Sequence, residues 1–231
     1  MYYSTDTTTR QQWYQPRIDL VDGTEPTVAE LIAGVGSKWY DLTGTNHGNI
    51  LNSAALYNSA GYMTFDGIDD YLTANDVGTL SNVTCEALVN ITTIPVSGNP
   101  CIIANVYPGT ASRVNFALGH VAGSSTISFG IFDGSWWYSP TFTPSINTWY
   151  HVCGTYNGSV LSLYVNGVLI GTPTSYVGTA TTSNGGIRIG RRWDLADYFA
   201  GKISTVRLYS RALSAQEISQ NFNATRGKFG I

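Results

Sequence analysis

Residues 148–223 constrain the fold of this chain more tightly than any other stretch. They read TWYHVCGTYNGSVLSLYVNGVLIGT and, after a loop, YFAGKISTVRLYSRALSAQEISQNF. Asn157-Gly158 and Asn166-Gly167 are pairs that accept positive φ at both central positions of a type I′ hairpin turn. Between them, Val160, Leu161, Leu163 and Val165, interleaved with Ser162 and Tyr164, predict a strand with one buried face. Upstream, Trp149 to Tyr156 is an aromatic and β-branched run of the same kind. Ser214 and Glu217 have the spacing of a capping box, with Leu213 and Ile218 placed for a hydrophobic staple. Ile218 and Phe222, four apart, give the short helix one apolar stripe. The stretch is a meander closed by a helix that patches a sheet.

Short strands and turn signals alternate from residue 46 onward. Strands are predicted at 47–51, 62–66, 69–73, 82–91, 100–105, 113–119, 126–132, 148–156, 159–165, 168–171, 186–190 and 198–209. Turns fall at Asp66-Gly67 and Asp133-Gly134 as well as at the two Asn-Gly pairs. Such a pattern without helical periodicity indicates an all-β sandwich or jelly roll. No repeat of 20–50 residues points to a propeller or solenoid. Residues 1–35 differ: Tyr2, Tyr3, Trp13 and Tyr14 stand in a polar segment, and Thr27 with Glu30 predicts a short capped helix that Gly34 ends. The expected organisation is an arm over 1–35 and one β domain over 36–231.

Composition narrows the function classes. Charged residues make up 12% of 231, about half the usual ~25%, and the net charge is −3 with no basic stripe. Nucleic acid is therefore not an expected partner. No apolar run approaches the ~20 residues of a membrane span. The N-terminus MYYSTDTTTRQQ shows no apolar signal region, so a chain without a secretion signal is expected. The sequons at Asn82, Asn90, Asn157 and Asn223 then read as products of an Asn- and Thr-rich composition. Cys85, Cys101 and Cys153 are odd in number and lack CxxC spacing, so buried free thiols are expected for Cys85 and Cys153.

The segments WYDLTGTNHGNI (39–50), YMTFDGIDDYL (62–72), VTCEALV (83–89), the 148–169 meander, IRIG (187–190) and YFAGKISTVRLYSRALSAQEI (198–218) together resemble the laminin G-like, concanavalin A-like jelly-roll domains. The pairing of WYDLTG with FDGIDDY is similar to such modules in tailed-phage structural proteins. The resemblance implies two curved antiparallel sheets and, often, carbohydrate binding or adhesion. It also implies a structural calcium site fed by an acid just before VRLYSRAL, where this chain carries Ser204 and Thr205. Leu88 stands where related enzymes carry a tryptophan.

Glycoside hydrolysis needs paired carboxylates. Past residue 31 the glutamates are Glu86, alone on its strand, and Glu217, a helix cap. His47, His120 and His151 are scattered, and no GxSxG occurs. A protein without enzymatic activity is therefore expected. Asp66, Asp69 and Asp70 form the densest acidic cluster and have two readings: a calcium corner, or plain turn chemistry before Gly67, which takes precedence. Trp136, Trp137 and Tyr138 follow an Asp-Gly-Ser turn, and because neighbours on a strand point to opposite faces, at least one tryptophan faces outward, to stack on a sugar, pack against another subunit or contact a loop of the chain. The loop from Gly190 to Tyr198, with Arg191, Arg192, Trp193, Asp194 and Asp197, combines a planar cation, an indole and two carboxylates, suited either to polar ligands or to a self-satisfied Arg–Asp pair.

The function expected from these readings is a virion structural protein, a capsid decoration or appendage subunit. Its oligomeric contacts with other virion chains run through Tyr2, Tyr3, Trp13 and Tyr14 of the arm, with glycan binding as a second activity. The alternative is an extracellular carbohydrate-binding adhesion module of a tail fibre or bacterial surface protein.

Overall fold

The computed structural model describes residues 10–14, 38–39, 48–51, 56–58, 60–95, 97–106, 114–178, 185–192 and 197–231. The early strands are β1 (Arg10–Tyr14), β2 (Lys38–Trp39), β3 (Gly48–Leu51), β4 (Leu56–Asn58), β5 (Tyr62–Asp66) and β6 (Tyr71–Ala74). The central ones are β7 (Val83–Ile91), β8 (Cys101–Val106), β9 (Val114–His120), β10 (Ile127–Phe132), β11 (Trp136–Tyr138) and β12 (Trp149–Tyr156). The last are β13 (Val160–Val165), β14 (Val168–Leu169), β15 (Thr174–Ser175), β16 (Ile187–Ile189) and β17 (Ala200–Tyr209), followed by helix α1 (Ala215–Thr225).

They form two antiparallel sheets. The first runs β14-β13-β12-β7-β17-β5-β4, with β1 also on β17 and β15 on β13. The second runs β11-β10-β9-β8-β16-β6-β3-β2. Between them lies one core that includes Phe65, Leu72, Val89, Ile103, Phe116, Phe129, Tyr156, Leu163, Phe199 and Leu208. The expected all-β jelly-roll sandwich is what the chain adopts. Each of the twelve strands predicted from period-2 alternation is present, shifted at its ends by a few residues at most. The helix expected at Thr27–Gly34 lies outside the described residues.

The two Asn-Gly turns differ. Asn166 and Gly167 have φ of 50° and 77°, as a type I′ turn requires. At the other turn only Gly158, at 89°, is left-handed. There the Asn157 carboxamide oxygen accepts from the backbone N–H groups of Ser159 (3.0 Å) and Val160 (2.8 Å). This side-chain capping leaves Asn157 itself at negative φ and corrects the I′ expectation.

Strand β7 is buried along its whole length because both faces are covered. Its inward face meets the core. Its outward face lies under α1, where the Ser214–Glu217 capping box forms as predicted. Leu213 and Ile218 pack with Cys153 and Tyr209 beneath the helix. All three cysteines are buried free thiols. Glu217 also holds Arg211 in a two-point contact of 2.6 and 3.0 Å, and those hydrogen bonds bring its pKa down to about 2.

The outward carboxylate of β7, Glu86, is the hub of this face. It accepts from Arg207 Nη1 at 2.7 Å and from Asn221 Nδ2 of the helix at 3.1 Å, and His151 Nε2 lies 3.2 Å away. Burial pushes the Glu86 pKa up, but the Arg207 charge and the His151 hydrogen bond outweigh it and hold the group at about 2. Replacing Glu86 by Gln takes the countercharge from a buried arginine, which costs about 3–5 kcal/mol. For a domain of this size the expected drop in Tm is about 10 °C. A carboxylate with a depressed folded pKa contributes stability above its unfolded value near 4.5 and loses it as pH falls toward about 2. Wild-type Tm should therefore fall more steeply than that of Glu86→Gln across this window in a calorimetric pH series.

Candidate functional site

Two regions of the second sheet collect the chemistry. On its outer face, Trp136 packs against Cys101, Ala104, Val106 and Ala117, a cluster separate from the inter-sheet core. Alternation along β11 puts Tyr138 on the same side. The Trp136 and Tyr138 rings lie parallel within 7°, their centroids 5.4 Å apart. They rest on Gly130 of β10, where a Cβ would stand 2.9 Å from Tyr138 and 3.0 Å from Trp136. The missing side chain lets both rings lie on the sheet while each keeps part of its surface in solvent. Burial raises the Tyr138 pKa, so its phenol stays protonated and able to donate.

Trp137 points the other way. Its Nε1 donates to Asp133 Oδ1 at 3.2 Å, and its ring stacks on Tyr176 at 4.7 Å. Tyr176 in turn donates to Asp133 Oδ2 at 2.6 Å. Trp137 thus covers an edge of the core and does not share a surface with Trp136.

The loop from Gly190 to Phe199 closes on itself, with Phe199 N–H donating to Gly190 O at 2.9 Å and Arg192 N–H to Asp197 O at 3.0 Å. Arg191 is buried, its guanidinium 4.3 Å from the Tyr71 ring centroid and 5.3 Å from that of Tyr198. Arg192 donates to Asp197 Oδ2 at 2.9 Å. Of the loop residues singled out from sequence, Trp193 and Asp194 lie outside the described residues. Arg192 and Asp197 thus make the self-satisfied Arg–Asp pair that was one of the two expectations, whereas the packing of Arg191 on Tyr71 was not indicated by the sequence.

Asp66, Asp69 and Asp70 come together with ligand oxygens all within 4.8 Å. Turn chemistry uses part of this set. Asp66 Oδ1 accepts from Ile68 N–H at 2.7 Å, and Asp70 Oδ2 accepts from Asp66 N–H at 2.8 Å. Asp70 Oδ1 is fully buried and has no hydrogen-bond partner. Burial, aided by the neighbouring Asp66 and Asp69 charges, pushes the Asp70 pKa up to about 6. Carboxylate oxygens of this kind fit a hard cation such as calcium, which would tie the β5–β6 turn to the buried Asp70. The position before VRLYSRAL takes no part in it. Ser204 sits at the other end of β5, where its Oγ donates to Gly61 O at 2.7 Å, five residues or ~17 Å along the chain from Asp66. Lys228 of the C-terminal tail donates to the same Gly61 oxygen at 2.7 Å and to Ser204 Oγ at 3.1 Å.

Of the arm residues, Trp13 and Tyr14 belong to β1, whose backbone pairs with this chain's own β17 (Trp13 opposite Arg207, Tyr14 opposite Val206). Tyr2 and Tyr3 lie outside the described residues. Tyr138 was grouped with the two tryptophans in the sequence, but its pairing with Trp136 rather than Trp137 was not drawn from their two-residue spacing. Sequence reasoning missed His120, whose placement depends on strand ends far apart in the chain.

The profile of the laminin G family described as the concanavalin A-like lectin/glucanases superfamily matches residues 66–219. A search of curated proteins by sequence finds no match. Among solved structures, the chain is similar to Trypanosoma rangeli sialidase in complex with sialic acid (TM-score 0.69, 18% identity, 98% of this chain and 34% of that one). It is also similar to a mutant of that sialidase displaying trans-sialidase activity (TM-score 0.66, 19% identity, 99% of this chain and 35% of that one). The receptor-binding domain of botulinum neurotoxin type G matches too, at TM-score 0.68 and 14% identity, over 94% of this chain and 52% of that one. The chain therefore spans only about a third to a half of the solved chains it resembles. The expectation that the protein has no enzymatic activity does not stand, because sialidases are among these structures. At such identities the likeness shows the fold alone, and it assigns no reaction either.

Calcium at millimolar concentration should raise the Tm of the wild-type protein and leave that of Asp70→Asn in place. A wild-type Tm unmoved by calcium or chelator excludes a tight stabilising cation at this turn.

Proposed function

The chain belongs to the concanavalin A-like lectin/glucanases superfamily, and on that premise we propose that it is a carbohydrate-binding module that holds a glycan along the outer face of its second sheet. The observation that carries this reading is the parallel Trp136–Tyr138 platform on Gly130. The face of an aromatic ring is electron-rich, and the axial C–H groups of a sugar form a flat, weakly positive surface that complements it. Asn99, Ser128 and His120 border the strip beneath these rings and supply polar partners for hydroxyl groups. A chain with 12% charged residues and net charge −3 suits a neutral, hydroxyl-rich ligand better than a polyelectrolyte.

On a glycan array the wild-type protein should give hits that Trp136→Ala weakens about tenfold or more. Trp137→Ala should instead lower Tm, because it removes the ring stacked on Tyr176, and leave the hits in place. A blank array for the folded wild-type protein contradicts the reading.

The setting proposed for this module is a virion, as a decoration or appendage subunit. Support comes from the WYDLTG and FDGIDDY segments and from β1, an added strand on β17. The same backbone pairing can be made with a neighbouring copy's β17, which is how strand addition joins chains. Deletion of residues 1–20 should then leave a folded protein that no longer incorporates into particles; normal incorporation overturns this setting.

A further inference from the structure

At one end of the sandwich, a cavity of about 320 Å³ opens between the β7–β8 loop, the β16–β17 loop and Gly67 of the β5–β6 turn. Its size lies at the lower end of the ~300–1,000 Å³ range of small-molecule sites. Ile94, Pro95, Pro100 and Phe199 give it an apolar wall, and His120 and Asp197 bring polar groups to it.

His120 is the unusual member. It ends β9 with only 5% of its surface exposed, and neither ring nitrogen has a hydrogen-bond partner. Buried polar side chains are nearly always satisfied, so an imidazole with both nitrogens unmet is a strong departure. Burial pulls its pKa down to about 4, so the ring is neutral near pH 7 and offers one donor and one acceptor. The same residue borders the strip under Trp136 and Tyr138, so it stands where the platform and the end cavity meet.

Asp197 is held in place from several directions. Its own φ is 55°, and its Oδ2 accepts from Asn99 N–H at 3.1 Å and from Arg192 Nη1 at 2.9 Å. A Cβ on Gly98 would stand 2.2 Å from its Oδ1, so a glycine there leaves room for the carboxylate. A carboxylate has about four acceptor sites, so two bonds leave capacity for a ligand hydroxyl. The Arg192 contact offsets its charge. The cavity thus joins an apolar wall, an uncharged imidazole and a charge-balanced acceptor.

We infer that this end cavity takes the terminal, uncharged sugar ring of a glycan whose inner residues lie on Trp136 and Tyr138, with the His120 imidazole and the Asp197 carboxylate meeting its hydroxyl groups. The inference rests on the glycan-binding reading and adds to it a subsite and a ligand class. Neutral termini are favoured over acidic ones, because an acidic sugar would bring its carboxylate beside Asp197 without a new countercharge.

Two variants and one spectroscopic readout test it. His120→Phe keeps the ring shape and removes the unmet nitrogens; it should fold with an equal or higher Tm. Ser97→Trp fills the cavity from its exposed rim. Both should weaken binding of neutral-terminated array glycans at least tenfold. In the wild-type protein, millimolar galactose, glucose, mannose or N-acetylglucosamine should shift the His120 imidazole NMR signals, and N-acetylneuraminic acid should not. If both variants bind array glycans as tightly as wild type while Trp136→Ala does not, the cavity is overturned and the platform stands. A shift produced by N-acetylneuraminic acid alone overturns the ligand class. If the folded wild-type protein binds no array glycan and shows no shift with any of these sugars, the platform and the cavity fail together.

Discussion

The fold turns on one buried carboxylate. Glu86 lies in the middle of β7, the central strand of the first sheet, with 1% of its surface exposed. A charge so deep in a protein is costly unless its neighbours replace the water it has lost. Here they come from three other parts of the chain: Arg207 on β17, His151 on β12 and Asn221 on α1. The carboxylate therefore pins two flanking strands and the closing helix to one point. The helix in turn seals the outward face of the first sheet over Cys153 and Tyr209.

On the proposed reading, that arrangement leaves the second sheet to receive the glycan. With the first sheet capped by α1, the platform is carried by the second sheet, where β11 folds back and lays Trp136 and Tyr138 over a floor of small residues. The floor is made of small residues, and Ala104, Ala117 and Gly130 leave room for the two stacked rings. The loops at the sandwich end continue the surface through His120 toward Asp197. The proposed binding surface thus lies on the second sheet, apart from the Glu86 hub of the first.

Much of this was legible in the sequence where the physics is local. Alternation marked the long strands, Asn166-Gly167 marked its turn, and the spacing of Ser214 and Glu217 marked the helix start. The strands outside the predicted set are β1, β2, β4, β11 and β15, and four of these have only two or three residues, too few for a period to show on its own. Glu86 read as a lone acid because its partners are 65, 121 and 135 residues away in sequence. The same reason hid the contact of Arg191 with Tyr71 and the placement of His120 and Asp197 on one cavity. Trp136 and Trp137 were correctly expected to face opposite ways, but the tertiary structure decided that Trp137 covers the core edge. Where the family resemblance implies a calcium acid, this chain carries Ser204, which serves the C-terminal tail at the far end of β5 from the Asp66 cluster.

A crystal structure of the protein grown with a bound oligosaccharide is the most direct measurement of the central claim. The account predicts density for sugar rings stacked on Trp136 and Tyr138, with the chain's end within hydrogen-bonding distance of His120. Sugar density seated elsewhere on the molecule, with the Trp136–Tyr138 platform bare, would contradict it.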